Sequence, residues 1–321
     1  MRDRLLQLLT ESTNSFISGQ EISTKLGISR TAVWKHIEEL RKNGYELEAV
    51  PRRGYRITHT PDLANADEIK ARLHTKKMGH SIIYKKEVTS TQEVAHELAR
   101  NGAEEGTVVV AETQQKGKGR LNREWHSPSG TGLWFSLILR PDVIPQKAPQ
   151  LTLLTAVAVT EGIMEATGIQ AQIKWPNDIL IDDKKTAGIL TEMQSEPDRV
   201  QAVIIGIGLN INQQAEHFPA ELLTKATSLA LENDGTTFQR ADVISAILKR
   251  IEQWYFHFLQ YGFKEIRKRW ESLAVTIGKE ITAVTMTKTV SGLAEGITED
   301  GVLLLKKQDG TTEYIYSADI D

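Results

Sequence analysis

The chain has no cysteine among its 321 residues, and this absence excludes disulfide bonds, zinc–thiolate clusters and a thiol nucleophile. No apolar run approaches the roughly 18–20 residues of a membrane span. The basic start, MRDRLLQLLTESTNS, meets polar residues too early for a signal peptide. Aromatic residues are only 6%, but 40% hydrophobic and 25% charged residues are typical of a globular chain. We therefore expect a cytoplasmic protein of two or three domains, without membrane contact.

The net charge of −3 is unevenly distributed along the chain. Residues 1–60 carry ten Lys/Arg against seven Asp/Glu, whereas residues 271–321 carry four against nine. A basic start on an acidic body favours a polyanionic partner for the start alone, although so modest an asymmetry also arises by chance.

The first 45 residues have the pattern of a helix-turn-helix. Three short stretches repeat apolar residues at helical spacing; Gly27 ends the second, and Ser29 stands where the N-cap of the third belongs. Val33, Ile37 and Leu40 form the inward face of that third helix. The other face and its start supply the candidate DNA-binding residues, which are Ser29, Arg30, Thr31, Trp34 and Lys35.

Two β-like runs, YELEAV and GYRI, follow directly and predict a wing with Arg52 and Arg53 at its tip. These cations suit contacts with phosphates or the minor groove. The alternative is a small structural domain with a solvated charged face. We favour DNA binding because turn, cap, exposed face and wing agree, and a single recognition helix predicts a dimer on two half-sites.

From residue 81 onward, short apolar runs alternate with helical patterns. The predicted strands are SIIYKKEV, TVVVAE, LWFSLIL, AQIKW, AGILTEM and VQAVIIGIGLN, and LTLLTAVAVTEGIMEAT is a long buried helix. Several connections are too short for helical crossovers, which favours a mixed or antiparallel sheet with helices on one face, an α+β fold. Short alternating strands after residue 271 predict a small β-barrel.

One loop and one hairpin carry the chemistry. In the loop 114–123, Gly117 and Gly119 let the backbone approach an anion, and the cations Lys116, Lys118, Arg120 and Arg123 can neutralise it. The loop has neither the Walker A nor the Rossmann pattern, and taken alone it is either a phosphate site or a solvated loop. The hairpin that follows KWPND places Lys185 three residues before Gly188, at the start of an apolar strand.

The ordered set GKGR, KWPND and KxxGIL, behind a winged helix, closely resembles the bifunctional biotin protein ligase and biotin-operon repressor family over essentially the whole chain. The resemblance implies a winged helix-turn-helix in 1–62, a class II synthetase-like catalytic domain in 63–270 and an SH3-like domain in 271–321. It also implies ATP and Mg²⁺ as cofactors and biotin as substrate. Biotinyl-5′-AMP would form first, and biotin would then pass to a lysine of a biotin carboxyl carrier domain. The implied repressor binds operator DNA as a homodimer when it holds the adenylate.

The resemblance also assigns roles by position. For biotin binding it implies Ser90, Thr91, Gln92, Gln114, Lys118, Gly119, Arg120, Lys185, Gly188, Gly206 and Gly208. For ATP and phosphate it implies Gly117, Lys118, Gly119, Arg120 and Arg123, with Lys185, Lys118 and Arg120 as the catalytic cations. Asp178 is either a Mg²⁺ ligand, a carboxylate that orients a lysine, or a hairpin cap, and Trp125 is a candidate for packing on the ligand.

Several alternatives stay open at this point. Ser90 and Thr91 would serve equally as helix N-caps, and the three strand glycines as bulge positions. Leu121 and Asn122 replace an arginine and a glycine of the family pattern, which puts loop closure or pyrophosphate contact in question. The adenine-side residues, expected between 211 and 235, have no distinctive motif. A lipoate-type ligase of the same superfamily and a ligand-sensing repressor without ligase activity are the competing functions.

Overall fold

The computed structural model describes residues 1–12, 15–196 and 199–320. Residues 1–59, here called the head, form three helices and a hairpin. These elements are α1 (Arg2–Glu11), α2 (Gly19–Leu26), α3 (Arg30–Lys42), β1 (Glu46–Val50) and β2 (Gly54–His59). The antiparallel β1–β2 pair is the predicted wing. The head therefore has the winged helix-turn-helix fold that its sequence predicts.

Local signals place the head's helices where they were predicted. Gly27 ends α2 in the left-handed conformation, with a φ of 67°, and the Ser29 hydroxyl caps α3 by accepting from the Ala32 amide at 3.2 Å. The predicted inward residues of α3, Val33 and Ile37, are buried with the leucines of α1. The cap and the buried stripe together fix which face of α3 remains exposed.

The body is built on a seven-stranded sheet in the order β3-β4-β7-β11-β10-β9-β8. Its strands, with two short ones that pair only with each other, are β3 (Ile82–Val88), β4 (Val108–Gln114), β5 (Gly117–Lys118), β6 (Glu124–Trp125), β7 (Gly132–Leu139), β8 (Gln172–Lys174), β9 (Asp178–Ile181), β10 (Lys184–Ser195) and β11 (Val200–Asn210). Strands β3 and β4 are parallel, and every other pair is antiparallel. The prediction of a mixed sheet is confirmed.

Helices cover both faces of this sheet, so the prediction of helices on one face was wrong. The helices of the body are α4 (Ala66–Arg72), α5 (Thr91–Arg100), α6 (Ala148–Thr167), α7 (Arg240–Tyr261) and α8 (Lys264–Leu273). In β4, Val108 and Val110 pack in the main core with α6 and α7, while Val109 packs on the opposite face with α5. A strand that is apolar at every position signals burial on both faces. None of the helices described is long and apolar enough to cross a membrane.

The C-terminal strands form one antiparallel sheet in the order β15-β14-β13-β12-β16. They are β12 (Glu280–Val284), β13 (Thr289–Ile297), β14 (Leu303–Lys306), β15 (Thr312–Ile315) and β16 (Asp319–Ile320). The predicted antiparallel SH3-like unit is confirmed, but in the part of the chain described here no strand pairing closes it into a barrel. The inward residues of this sheet join the main core, so the unit is packed onto the body.

Helix α4 and one buried arginine attach the head to the body. In α4, Ala71 packs into the head's core, whereas Ile69 packs into the body's core. The Arg240 side chain, only 2% exposed, donates to Asp62 of the connection at 2.8 Å and to Glu112 of β4 at 2.9 Å. Because a buried charge is stable only when it is paired and hydrogen-bonded, this arrangement fixes the connection against the sheet.

A second polar junction holds α7 against the edge of the sheet at Glu105. Burial, the largest influence, would raise the pKa of the Glu105 carboxyl. Hydrogen bonds from Lys77, Tyr255 and the Arg140 amide outweigh it and hold that pKa below its ordinary value. The ionised carboxylate is therefore the form that the folded protein prefers.

Candidate active site and DNA-binding surface

A cavity of about 600 Å³ opens on the central sheet, and nearly all the predicted ligand-binding residues line it. The loop 114–125, the stretch 174–178, strands β10 and β11 and the C-terminal residues 318–320 form its walls. Pockets for small ligands commonly have this volume. Of the residues proposed to bind biotin and ATP, only Gly117 does not line the cavity. This buried glycine has no room for a side chain, because a Cβ there would lie 2.4 Å from the Trp125 carbonyl oxygen.

Buried polar side chains at the start of α5 form one end of the cavity. The Thr91 amide donates to Gln114 Oε1 at 2.9 Å, and Ser136 Oγ donates to Gln92 Oε1 at 2.9 Å. Gln92 Nε2 also donates to the Ile204 carbonyl at 3.1 Å. A network whose members are all hydrogen-bonded keeps its donors and acceptors in fixed positions. This end of the cavity can therefore recognise a planar polar group by hydrogen bonds.

Ser90 is the N-cap of α5, the structural role that the sequence left open for it. Its hydroxyl accepts from the Gln92 amide at 3.3 Å, and its side chain still lines the cavity. Capping occupies one lone pair of a hydroxyl that keeps its own proton as a donor. Capping and ligand binding are thus compatible at this position.

Two glycines form a flat shelf on which the Trp125 indole lies. A Cβ at Gly208 would stand 2.4 Å from the indole, and one at Gly188 2.8 Å. The Lys185 ammonium lies 5.2 Å from the ring centroid, within the range of a cation–π contact. At Gly206 a Cβ would stand 2.6 Å from Gln92 Oε1. The glycines are therefore needed where strands β10 and β11 meet other groups closely.

Four of the proposed cations line the cavity, Lys118, Arg120, Arg123 and Lys185, and each has a partner within the protein; Lys116, the other cation of the loop, is exposed and does not line it. Lys118 pairs with Glu93 at 2.6 Å, and Lys185 pairs with Asp178 at 2.7 Å. Arg123 pairs with Asp319 of β16. The contact of Asp178 with Lys185 supports, of its three predicted roles, that of the carboxylate that orients a lysine. Lys184, expected to be a solvated hairpin cation, is exposed.

Arg120 lines the cavity and connects two parts of its wall. Its guanidinium donates to Asn177 Oδ1 at 3.0 Å and to Ser317 Oγ at 2.8 Å. Burial, the largest influence, holds the pKa of this guanidinium below its ordinary value, although the charges of Asp319 and Asp178 act in the opposite direction. An arginine remains charged throughout the range of pH in which proteins function. Arg120 therefore keeps its positive charge in the wall of the cavity.

The segment after β11 completes the wall, and no motif in the sequence points to its residues. Lys185 is tied to it by backbone hydrogen bonds, from its own amide to the Lys225 carbonyl at 2.8 Å and from the Thr227 amide at 2.9 Å. The side chains that this segment brings to the cavity are Gln213, Phe218, Leu222, Lys225 and Ala226. They lie in the interval 211–235, where the adenine-side residues were expected.

The head presents the second candidate site. Arg30, Thr31 and Lys35 are exposed on α3, and Trp34 is 53% exposed, which is unusual for so large an aromatic side chain. The wing residues Arg52 and Arg53 are exposed too, and the list of predicted DNA-binding residues is completed by the capping Ser29. All of these residues are therefore accessible to solvent, and they present positive charge and hydrogen-bonding groups on α3 and the wing.

Comparisons with known proteins agree with this architecture. Family models match in three parts: an HTH domain at residues 2–56, the biotin/lipoate A/B protein ligase family at 84–210, and a biotin protein ligase C-terminal domain at 276–321. The bifunctional ligase/repressor BirA of Bacillus subtilis is 55% identical over 321 residues, covering 100% of this chain and 98% of the relative. The chain belongs to the bifunctional biotin ligase/repressor family.

More distant members extend the match. Escherichia coli BirA is 30% identical over 308 residues, covering 96% of this chain and 92% of that protein. The structure of the biotin protein ligase from Aquifex aeolicus in complex with biotin and ATP is 33% identical, with a TM-score of 0.65, and covers 75% of this chain and 98% of that one. The ligase fold of this family member is thus shared with a structure that holds both small molecules.

Sequence reasoning missed Ser136 as a member of the polar end. It lies in the strand LWFSLIL and is fully buried, and its single hydroxyl proton has two acceptors within reach, Thr91 Oγ1 and Gln92 Oε1, each 2.9 Å from Ser136 Oγ. A lone serine in an otherwise apolar strand needs hydrogen-bond partners, and this was the available signal.

Proposed function

We propose that the chain is an ATP-dependent biotin protein ligase that also represses transcription in response to biotin. The observation that carries the proposal is one cavity that combines a fixed polar end, a glycine shelf and four cations. The family to which the chain belongs supports it. In the first step a biotin carboxylate oxygen attacks the α-phosphorus of ATP, and pyrophosphate leaves. In the second step a carrier lysine amine attacks the acyl carbon, and AMP leaves.

The polar end is the seat that we propose for the ureido ring of biotin. That ring offers both N–H donors and a carbonyl acceptor, which match the hydroxyls and amides of Ser90, Thr91, Gln92 and Gln114. These groups are buried or half-buried and already connected to one another. Binding there requires little reorganisation of the protein, since its partners are preorganised.

The cations are placed for the reacting groups. A carboxylate and a phosphate repel each other, so their reaction requires positive charge held in place beforehand. We assign Lys185, Lys118 and Arg120 to the carboxylate and the α-phosphate, Gly119 to close approach of the loop backbone, and Arg123 to the outer phosphates. Lys118 and Lys185 exchange their internal carboxylate partners for substrate oxygens when the substrates enter. Arg120 and Arg123 keep theirs, because a guanidinium has further N–H donors to offer a substrate.

A magnesium ion that enters with ATP fits the side chains around the cavity. Lining carboxylates come from Glu124, Asp178 and Asp319, and the latter two are ion-paired. Within the ranges described, no three His, Asp or Glu side chains are grouped to hold a metal. Mg²⁺ prefers phosphate oxygens and water with one or two carboxylates, so Asp178 would hold it beside the phosphates. When bound, it would neutralise phosphate charge.

The partners follow from the two activities. A biotin carboxyl carrier domain would present its lysine at the cavity. Helix α3 would enter the major groove of operator DNA, and the wing arginines would contact the phosphate backbone of the DNA. One head carries one recognition helix, and we therefore propose a homodimer of adenylate-bound chains on two half-sites. We propose a cytoplasmic location, where operator DNA and ATP are both available.

Substrate-dependent pyrophosphate release tests the ligase. The purified chain is given ATP and Mg²⁺ with either biotin or lipoate, and we expect release with biotin alone. Release with lipoate only would establish the lipoate-type alternative, and release with neither would refute the ligase. The Lys185→Ala variant should lose carrier labelling, whereas Lys184→Ala, a neighbouring exposed lysine, should retain it.

Operator binding by the wild type, measured with and without biotin and ATP, tests the repressor. We expect tighter binding and a dimeric mass when the adenylate is present. Tight binding without any adenylate synthesis would instead establish a sensing repressor.

A further inference from the structure

The loop with the candidate phosphate-binding residues is a small hairpin, here called the lid (residues 117–125). Gly117 pairs with Trp125 and Lys118 with Glu124. The turn between them is closed by a hydrogen bond from the Gly119 amide to the Arg123 carbonyl at 2.8 Å. Trp125 rests on the glycine shelf. The root of the lid is therefore seated on the central sheet, and Gly119, Arg120 and Arg123 of its turn line the cavity.

The tip of the lid is held by residues almost 200 positions away. Arg120 donates to Ser317 Oγ at 2.8 Å and to the Ala318 carbonyl at 3.5 Å, and Arg123 makes a two-fold contact with both carboxylate oxygens of Asp319. Paired contacts between an arginine and a carboxylate fix direction as well as distance. The two arginines at the ends of the turn thus both bind one short segment of the C-terminal unit.

That segment is itself firmly anchored. Ala318 and Ile320, on either side of Asp319, are 5% and 6% exposed and belong to the main core. Their strand β16 pairs with β12 through Val284 and Ala283. Asp319 and Ser317 therefore offer a fixed point to which the lid attaches, while Leu121 at the lid's tip is 62% exposed and contributes no buried anchor.

We propose that Ser317 and Asp319 are positioning residues that latch the lid closed over the activated intermediate. The inference rests on the proposed ligase function. The closed lid retains biotinyl-5′-AMP until the carrier lysine arrives, because leaving the cavity requires Arg120 and Arg123 to release the C-terminal segment. The latch acts through the lid arginines and touches no reacting atom.

Dissociation of the adenylate from the full-length protein is the decisive measurement. Labelled biotinyl-5′-AMP is formed on the wild type and on Ser317→Ala, Asp319→Asn and Asp309→Asn, and its release is followed after dilution into unlabelled adenylate. Asp309 is the matched control because it is an exposed aspartate of the same unit whose carboxylate accepts from Thr311. We expect release to quicken about two- to fivefold in both latch variants and not in the control, because Asp319→Asn weakens a partly exposed ion pair and Ser317→Ala removes one hydrogen bond.

The same variants are assayed with the carrier domain, to compare ATP consumed with biotin transferred. The latch variants should consume more ATP for each biotin transferred while the apparent KM for the carrier stays the same. Release rates equal to the control overturn the proposal. So does a lower KM for ATP with unchanged release, since Asp319 would then be a competitor of the phosphates for Arg123.

Limited trypsin cleavage of the ligand-free protein separates failure of the latch from failure of the ligase. Cleavage after Arg120 and Arg123 should be faster in Asp319→Asn than in wild type or Asp309→Asn, whether or not adenylate can form. Equal cleavage overturns the latch, even if the ligase is active. A thermal melt of each variant ensures that faster cleavage does not arise from global unfolding.

Discussion

Gly208→Ala should block the shelf on which the Trp125 indole lies. A Cβ at this position would stand 2.4 Å from the indole, whereas ordinary contact begins at 3.4 Å. The ring must therefore move by about 1 Å or leave the shelf, and overpacking of this kind costs about 1–3 kcal/mol. If the closed site needs both the shelf and the indole, that cost appears in ligand binding.

We expect the affinity for biotin to fall by about 5- to 150-fold, which corresponds to the same 1–3 kcal/mol. The free energy of unfolding should change less. Alanine in a strand is favoured over glycine by about 0.5–1 kcal/mol, which offsets part of the strain. The variant should thus separate binding from stability.

Calorimetric titration with biotin measures the affinity, and guanidinium unfolding measures the stability. Gly19→Ala is the control, because its Cβ would stand at an ordinary 3.5 Å from Tyr55 in the head, away from the cavity. An unchanged biotin affinity together with an unchanged tryptophan emission spectrum in Gly208→Ala would refute the placement of Trp125 on the shelf.

Three further changes test other parts of the structure. Ser136→Ala removes a buried donor to Gln92 and should weaken biotin binding by about 1–3 kcal/mol in the same titration. An unchanged affinity would contradict the role of this hydrogen-bond network in biotin binding. Because folding lowers the pKa of Glu105, its stabilisation is fully present above the ordinary pKa of an unfolded-chain glutamate and is lost as the pH falls through its lower folded pKa. Urea unfolding across pH 2–7 should therefore show a shallower acid decline in Glu105→Gln; parallel curves would exclude this. Lys35→Ala should weaken operator binding and reduce its salt slope by about 1, whereas Lys42→Ala, at the other end of α3, should match wild type.

The head was predictable because its signals are local. A glycine in the left-handed conformation and a capping serine act within one turn of the residues they affect, and both stand where the sequence places them. The same is true of the apolar runs that became β4, β7 and β11. A continuous apolar run shows that a strand is buried, but it does not say what covers each face. The position of α5 opposite α6 was therefore missed.

The candidate site was predictable only as a set of residue types. All the proposed ligand-binding residues except Gly117 line one cavity, yet the partners that hold them come from far along the chain: Ser317 reaches Arg120 across 197 positions. No spacing rule connects such pairs. The wall from Gln213 to Ala226 has no motif because its contribution arises partly from backbone bonds to Lys185, which any sequence can make. The domain boundaries and the role of each site residue stay predictions.

Helix α4 has a thermodynamic consequence for the whole molecule. Its seven residues contribute Ile69 to one core and Ala71 to another, and the adjoining Asp62 is bound to the buried Arg240. Melting the head alone would uncover one side of this helix, and melting the body would remove the support of the other. Differential scanning calorimetry of the full chain should accordingly show a single unfolding transition. Excising the head would act on the remainder as a core mutation does, by leaving an apolar surface without its cover.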